Sequence, residues 1–254
     1  MNKYEYYIDY YKNVYSRKSF ESDAKNKLME LGQETKRLEV ISKFLKQDYL
    51  KVSKVLIVGC GTGGLAEAMH NLGAKNIYGL DPDSEAIVIA KRDSARPNID
   101  FIVGVAEDLP YENDSFDLVL MISVLEHVRD IKKSLSEIYR VCKTGGYVYL
   151  DIPDYRFPYE PHFKTFAPVF LGKKITQLYM LLRGKNYKSL GDLNFLTKPK
   201  VTKQLLDLNI LDFSFHYYQK NNAKNRFGNS FLDSVSNYFI NKNITPTLCL
   251  EIRK

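Results

Sequence analysis

The rhythm of apolar positions changes along the chain and divides it into four parts. Over residues 1–50 there is no proline and one glycine, and Leu28, Leu31, Leu38, Ile41, Phe44 and Leu45 recur at near-helical spacing, which predicts a helical N-terminal extension. From residue 55 the pattern becomes short apolar runs at 55–58, 77–80, 101–103, 118–122 and 147–152, separated by helix-like stretches at 65–72, 84–95 and 131–142. Runs without polar alternation belong to strands buried on both faces. Strand and helix in repetition, joined by short loops, predict a parallel sheet covered by helices, a doubly wound α/β fold.

After this core, Pro153, Pro158, Pro161 and Pro168 interrupt regular structure, a helix-like stretch follows at 171–182, and a Lys/Asn/Gly-rich loop follows that. Residues 154–200 therefore read as an insertion or lid. A helix at 201–208, an alternating strand at 211–218 and a last strand at 247–252 complete the chain. The organisation is thus a helical extension (1–50), a core (51–153), a lid or acceptor-binding insertion (154–200) and a C-terminal part of the core sheet (201–254). No internal repeat is visible.

The 254 residues suffice for one large core, and 44% hydrophobic with 26% charged residues exclude wholesale disorder. Cys60, Cys142 and Cys249 are odd in number and lack a C-x-x-C spacing, so neither a disulfide framework nor a zinc cluster is indicated, and a reducing cytoplasm is the expected location. The start mixes charges with aromatic rings, unlike a signal peptide, and no apolar run approaches the ~18 residues of a membrane span. The net charge of +7 is uneven: residues 1–150 hold 21 basic and 22 acidic residues, residues 151–254 hold 16 and 8. A basic C-terminal part attracts phosphates or an anionic membrane face, or serves solubility alone.

The first candidate for chemistry is the segment from Val55 to Gly64, a buried strand running into Gly59, Gly61, Gly63 and Gly64 and then a helix. Glycines there let the backbone turn tightly and approach a ligand at a helix N-terminus. Asp81 ends the next strand, where a carboxylate can accept both hydroxyls of a ribose. Gly59, Gly61 and Gly64 with an acid about twenty residues on also satisfy the dinucleotide fingerprint, so these residues alone leave a nicotinamide oxidoreductase open.

Five segments occur in order: Gly59-Cys60-Gly61-Thr62-Gly63, Gly79-Leu80-Asp81, Ala106-Glu107-Asp108-Leu109-Pro110, Phe116-Asp117-Leu118-Val119 and Leu125-Glu126-His127-Val128, followed by Lys143-Thr144-Gly145-Gly146. In this order they resemble the class I S-adenosylmethionine-dependent methyltransferases, in particular the type 11 group that includes quinone-biosynthesis enzymes, over about residues 51–153. The resemblance implies a Rossmann-like sheet, mostly parallel with a reversed final strand, and S-adenosyl-L-methionine as cofactor. It implies that Gly59, Cys60, Gly61 and Gly63 line the methionine and ribose, that Asp81 and Pro82 border the ribose, that Ala106 and Glu107 lie beside the adenine, and that Ile122 and Ser123 border the transferring methyl. Two positions depart from the pattern: Ile57 stands where many relatives carry an acid, and Val105 where many carry Asp, leaving Glu107, Asp108 or backbone groups to read the adenine. A non-catalytic cofactor-binding module remains an alternative for that reason.

Methyl transfer from a sulfonium needs alignment, exclusion of water and, for a hydroxyl or ammonium acceptor, removal of a proton. It requires no metal, and no metal-ligand spacing is visible in the sequence. His127, after the fourth strand, and His162, in Tyr159-Glu160-Pro161-His162-Phe163, are the candidates for the catalytic base, although His127 can instead serve the nearby helix start and His162 can cap a turn. His70 and His216 read as packing or surface residues, and Cys60 as a small residue in the glycine turn. Phe163, Phe166, Phe170, Ile175, Leu178, Tyr179, Leu181 and Leu182, beside Lys164, Lys173, Lys174, Arg183 and Lys185, suit a lid helix with a basic edge or a peripheral membrane contact. A looser resemblance of the Pro-His-Phe segment to surface-polysaccharide enzymes points the acceptor toward a small molecule, sugar or lipid-linked glycan. Tyr4, Tyr6, Tyr7, Tyr10, Tyr11 and Tyr15 would suit base stacking in an RNA methyltransferase, but no nucleic-acid module accompanies them. The oligomeric state is not legible.

Overall fold

The computed structural model describes residues 1–14, 19–31, 38, 41, 54–94, 96–184, 187–217 and 230–254. Phe44 and Leu45 of the expected helical extension, Tyr15, Ala95, Lys185 and Tyr218 lie outside the described residues. Among the described ones, the elements in order are α1 (Lys3–Asp9), α2 (Phe20–Leu31), β1 (Lys54–Val58), α3 (Gly64–Asn71), β2 (Asn76–Asp81), α4 (Ser84–Asp93), β3 (Ile99–Val103), β4 (Phe116–Ile122), α5 (Ile131–Val141), β5 (Cys142–Pro153), β6 (Tyr159–Glu160), β7 (Thr165–Phe166), α6 (Lys173–Leu182), α7 (Lys198–Asp207), β8 (Phe213–Tyr217), α8 (Ser230–Asn241) and β9 (Thr247–Arg253).

Seven strands form one sheet in the order β3-β2-β1-β4-β5-β9-β8. The first five are parallel, whereas β9 runs antiparallel between β5 and β8. The apolar runs explain this sheet: Val55, Leu56, Ile57 and Val58, and likewise Leu118 to Met121, are buried on both faces. Two apolar layers result. One gathers Leu56, Val119, Val148 and Leu250 under α5 and α7, and the other gathers Val55, Ile57, Leu118 and Tyr149 under α3 and α4. The reversed β9 also departs from the all-parallel 3-2-1-4-5-6 order of dinucleotide-binding sheets.

The polarity of strand succession reverses between β1 and β4, which are direct neighbours. At such a switch point the loops leaving the carboxyl ends diverge and leave a crevice, so the sheet itself dictates where a ligand enters.

Several boundaries differ from the sequence reading. α4 stops at Asp93 rather than 95, because Ser94 leaves helical geometry just ahead of Pro97. The expected turn at Lys143 to Gly146 is a bulge inside β5: Cys142 pairs with Phe116 and Tyr147 with Leu118, so four residues arch out between. α8 was not expected, since its apolar residues Leu232, Val235, Phe239 and Ile240 are diluted by Ser and Asn. It supports the insertion through Phe239, which meets the rings of Phe157 and Phe170.

Residues 154–196 have their own small core of Tyr155, Ala167, Val169, Met180, Leu190, Leu193 and Phe195. The Tyr155 and Phe195 rings stack with centroids 4.2 Å apart. This core holds α6 by Thr176 and Met180, leaving Ile175, Leu178, Leu181 and Leu182 facing outward. Of the two arrangements the sequence left open for this segment, a packed lid helix or an outward apolar face, the helix shows the outward one at Ile175, Leu178, Leu181 and Leu182. Among the described residues, no helix is long and apolar enough to cross a membrane.

Candidate active site

A cavity of about 510 Å³ opens at the switch point. Its floor is the glycine loop after β1, with Asp81 at the end of β2, Ile122 and Ser123 at the end of β4, and Asp151 and Pro153 at the end of β5. The glycine loop needs its residue type. Gly59 has φ +74°, and a Cβ there would lie 2.1 Å from Val124 Cγ2. Gly63, at φ +85°, is the N-cap of α3, and a Cβ there would press on Phe101 and Ala90. The loop is held to β2 by Gly59 and Cys60 amides donating to the Leu80 carbonyl at 2.7 and 3.1 Å.

Asp81 holds this loop before any ligand arrives: its Oδ2 accepts from the Gly61 amide at 2.8 Å and its Oδ1 from the Asp83 amide at 2.9 Å. Burial raises its pKa above the ordinary carboxylate value, partly offset by these two amides. Each oxygen keeps a further lone pair for a ligand hydroxyl.

Of the residues assigned to the cofactor by resemblance, Gly59, Cys60, Gly61, Asp81, Ile122 and Ser123 line the cavity. Gly63 lies behind it at the helix start. Pro82, Ala106 and Glu107 are not among the lining residues. Glu107 instead accepts from the Arg129 amide at 2.6 Å, and Val105 pairs with Asp108 in an isolated bridge. Ser123 has φ +54°, an uncommon conformation for a residue with a side chain, fixed by its amide donating to the Asp151 carbonyl at 2.7 Å.

The two candidate histidines meet on the opposite wall. His127 Nε2 and His162 Nε2 lie 3.2 Å apart, with ring planes at 89°. Behind them, His162 Nδ1 is 2.7 Å from Oε1 of the fully buried Glu160, whose other oxygen accepts from the Phe163 amide at 2.7 Å. Neither histidine is an ordinary cap. The start of α5 is capped by the Asp130 carboxylate on the Lys133 amide, and the turn after Pro161 by Glu160.

His127 is held low, to about 4, by desolvation and by the neighbouring His162. Although 39% of its side chain is accessible, that opening is the cavity itself, so the ring is a neutral proton acceptor facing a ligand space. Burial pushes the Glu126 carboxyl up to about 7, and its Oε2 is buried with no hydrogen-bond partner. With His127 neutral, their 4.0 Å separation is no ion pair. His216 bonds Glu251 at 3.0 Å on the far edge of the sheet, and His70 lies on α3, both outside the cavity lining.

The roof comes from regions the sequence motifs do not mark. Tyr6, Tyr7, Tyr10 and Tyr11 line the cavity from α1 and the turn after it. Tyr7 Oη is 3.0 Å from Thr62 Oγ1 in the glycine loop, and Tyr6 Oη donates to Asp83 at 2.8 Å. Their rings pack against one another and on the loop rather than standing open for nucleobases. Lys164 pairs with the buried Asp23 of α2 at 3.1 Å, joining the insertion to the N-terminal helices over the opening. Glu160 and Tyr7 are the functional candidates that sequence reasoning passed over. The Glu-x-His spacing was a usable signal for the first, whereas nothing local distinguishes Tyr7 from its five neighbouring tyrosines.

Comparison with known proteins agrees with this geometry. Residues 56–150 match the methyltransferase domain family. A phthiotriol/phenolphthiotriol dimycocerosates methyltransferase of Mycobacterium ulcerans is 36% identical over 105 residues, 41% of this chain and 39% of that protein. A demethylmenaquinone methyltransferase of Lactococcus lactis is 36% identical over 132 residues, 47% and 51% of the two chains. The chain thus spans about half or less of the length of the curated relatives it matches. Among solved structures, the PH0226 protein of Pyrococcus horikoshii shares the fold over 98% of each chain with a TM-score of 0.58 at 19% identity. The YcgJ protein of Bacillus subtilis shares it over 85% of this chain and 97% of its own, with a TM-score of 0.56 at 19% identity. The ordered motifs, the sheet with its reversed strand and the domain match agree: residues 56–150 of this chain match the methyltransferase domain family.

Proposed function

We propose that this chain transfers a methyl group from S-adenosylmethionine to a hydroxyl of an amphiphilic, lipid-linked acceptor. The observation that carries the reading is that one cavity joins the glycine loop and Asp81 on one wall to the facing His127 and His162 on the other. The donor occupies the first wall, with the Asp81 carboxylate on its ribose and its sulfonium directed toward Ile122 and Ser123. The cavity lining carries Asp23, Asp81, Asp83 and Asp151 against Lys27 and Lys164, an acidic balance that favours a positively charged ligand. The acceptor hydroxyl lies beside the histidine pair. As its oxygen bonds to the methyl carbon, the carbon–sulfur bond breaks, sulfur takes the electron pair as a neutral thioether, and the hydroxyl proton passes to the neutral imidazole. Tyr7 and the 154–196 insertion keep water from the reacting atoms.

The acceptor class is supported by the outward face of α6. Ile175, Leu178 and Leu182 follow i, i+3 and i+7 spacing, each is about half exposed or more, and Leu182 is 78% exposed. Lys174 and Arg183 flank them on a segment that belongs to the basic C-terminal part of the chain. An apolar stripe edged by cations suits an anionic bilayer surface, where lipid-linked substrates reside. Two of the similar proteins carry names of lipid and quinone methyltransferases, which fits an amphiphilic acceptor.

Two measurements test the reading. Calorimetry with S-adenosylhomocysteine and with NADH should show saturable binding of the sulfur ligand alone. Labelled methyl donor incubated with fractionated extracts should label the lipid or lipid-glycan pool, and label confined to RNA would overturn the acceptor assignment.

A further inference from the structure

We propose that Glu126, His127 and His162 form a binding site for one divalent first-row transition-metal ion of the zinc or cobalt kind, on the acceptor wall of the cavity. One ligand atom from each lies within 4.8 Å of the others. The spacing of the two imidazoles is informative. Zinc–nitrogen bonds of about 2.0–2.1 Å at a tetrahedral angle place two ligand nitrogens about 3.3 Å apart, and here Nε2 and Nε2 are 3.2 Å apart.

The surroundings support the same assignment independently. Glu160 accepts from His162 Nδ1 at 2.7 Å, which fixes the tautomer with the Nε2 lone pair directed at His127. A buried carboxylate in that position orients a metal-binding imidazole and raises its basicity. Glu126 Oε1 lies 4.0 Å from His127 Nε2, and Oε2 of the same buried carboxyl has no hydrogen-bond partner, so a cation bound to this carboxyl offsets a costly burial. Three protein ligands on a cavity wall leave a fourth position open to a ligand, the arrangement of catalytic rather than structural zinc sites. The linear sequence hides the set because His162 follows His127 by 35 positions and comes from the insertion.

The role of the ion rests on the methyl-transfer reading; its binding does not. In the loaded protein, the ion replaces the bare histidine pair as the group that activates the acceptor. Held by Glu126, His127 and His162, the ion would lower the pKa of a hydroxyl bound at the open position and so supply the activation that methyl transfer to that oxygen needs.

The test is a Co²⁺ titration of the tag-free, metal-stripped full chain, with no cofactor or acceptor present. One equivalent should bind and give the visible bands of four-coordinate Co²⁺. His162→Asn and Glu126→Gln should each abolish the bands, Glu160→Gln should weaken binding about 10–100-fold, and His70→Asn should change nothing. S-adenosylhomocysteine binding on the same preparations reports folding and, separately, the methyltransferase reading. For the unaltered chain, bound Co²⁺ should protect His127 and His162 from diethylpyrocarbonate, read by mass spectrometry, while His216 stays reactive. Absence of stoichiometric Co²⁺ binding, or equal modification of both histidines with and without Co²⁺, would overturn the site whether or not the variants fold.

Discussion

The two walls of the cavity are built on opposite principles. The cofactor wall uses consecutive backbone, Gly59 to Gly64, plus one carboxylate at the end of the neighbouring strand, all held by amide hydrogen bonds within the parallel sheet. The acceptor wall assembles side chains from separate segments, Glu126 and His127, Asp151 and Pro153, and Pro161, His162 and Lys164, under a roof of tyrosines from the N-terminal helix. A cofactor shared by a whole group of enzymes can be gripped by a short local motif. An acceptor that differs between them is gripped by insertions and extensions, which can change without disturbing the sheet.

The sharpest way to break this division is to damage one wall and read both functions. His162→Ala should lower the transfer rate by about 10²–10⁴-fold, the usual range for a general acid–base group, and leave S-adenosylhomocysteine affinity unchanged. Single-turnover transfer with labelled donor, alongside calorimetry, measures both. A fall in cofactor affinity of the same size would mean that the histidine pair belongs to the cofactor wall.

The converse experiment is Asp81→Ala. Its carboxylate anchors the Gly61 and Asp83 amides and is assigned the ribose. Loss of charged hydrogen bonds should weaken S-adenosylhomocysteine by about 1.5–3 kcal/mol, while transfer at saturating donor recovers most of its rate. Unchanged affinity in a folded variant would remove Asp81 from the ribose.

A third measurement sharpens the acceptor wall at its outer end. Leu178→Asp with Leu182→Asp places two negative charges on the exposed stripe of α6 without touching Thr176 or Met180, which hold the helix in place. Sedimentation with phosphatidylglycerol vesicles should fall several-fold relative to the unaltered chain, and phosphatidylcholine vesicles should bind neither. Equal sedimentation of both proteins would place the membrane contact elsewhere, and a change in oligomeric state on substitution would identify the stripe as a contact between copies.

Legibility in the sequence followed the same division. The strands were visible because β1 and β4 are unbroken apolar runs, and the glycine loop was visible because its conformation demands glycine at 59 and 63. His127 and His162 were individually visible as residue types, but their 3.2 Å contact was not, because it forms only when the insertion folds back over the carboxyl end of the sheet. The facing of the stripe on α6 was left open by the sequence. Helical periodicity shows that one face is apolar, whereas which face is buried depends on the separate core around Tyr155 and Phe195. Glu107 was given to the adenine by resemblance, and here its carboxylate holds the Arg129 and Asp130 amides, a use that no local pattern reveals.

The smallest expected effect concerns the one place where the two walls touch, and so tests whether the division itself is sound. Tyr7 comes from the N-terminal extension, yet its hydroxyl bonds Thr62 inside the glycine loop at 3.0 Å, with both side chains buried. Tyr7→Phe keeps the ring packed against Tyr6 and Tyr11 and removes that bond. A neutral hydrogen bond contributes about 0.5–1.5 kcal/mol, so S-adenosylhomocysteine should dissociate roughly 2- to 10-fold faster in stopped-flow measurements while the acceptor KM holds. The reasoning is that α1 bonds the cofactor loop directly, through Tyr7 to Thr62 and Tyr6 to Asp83, whereas it reaches the histidine pair only across the open cavity. If the acceptor KM rises instead and cofactor dissociation is unmoved, the N-terminal helix is part of the acceptor pocket, and the cofactor wall ends at the glycine loop.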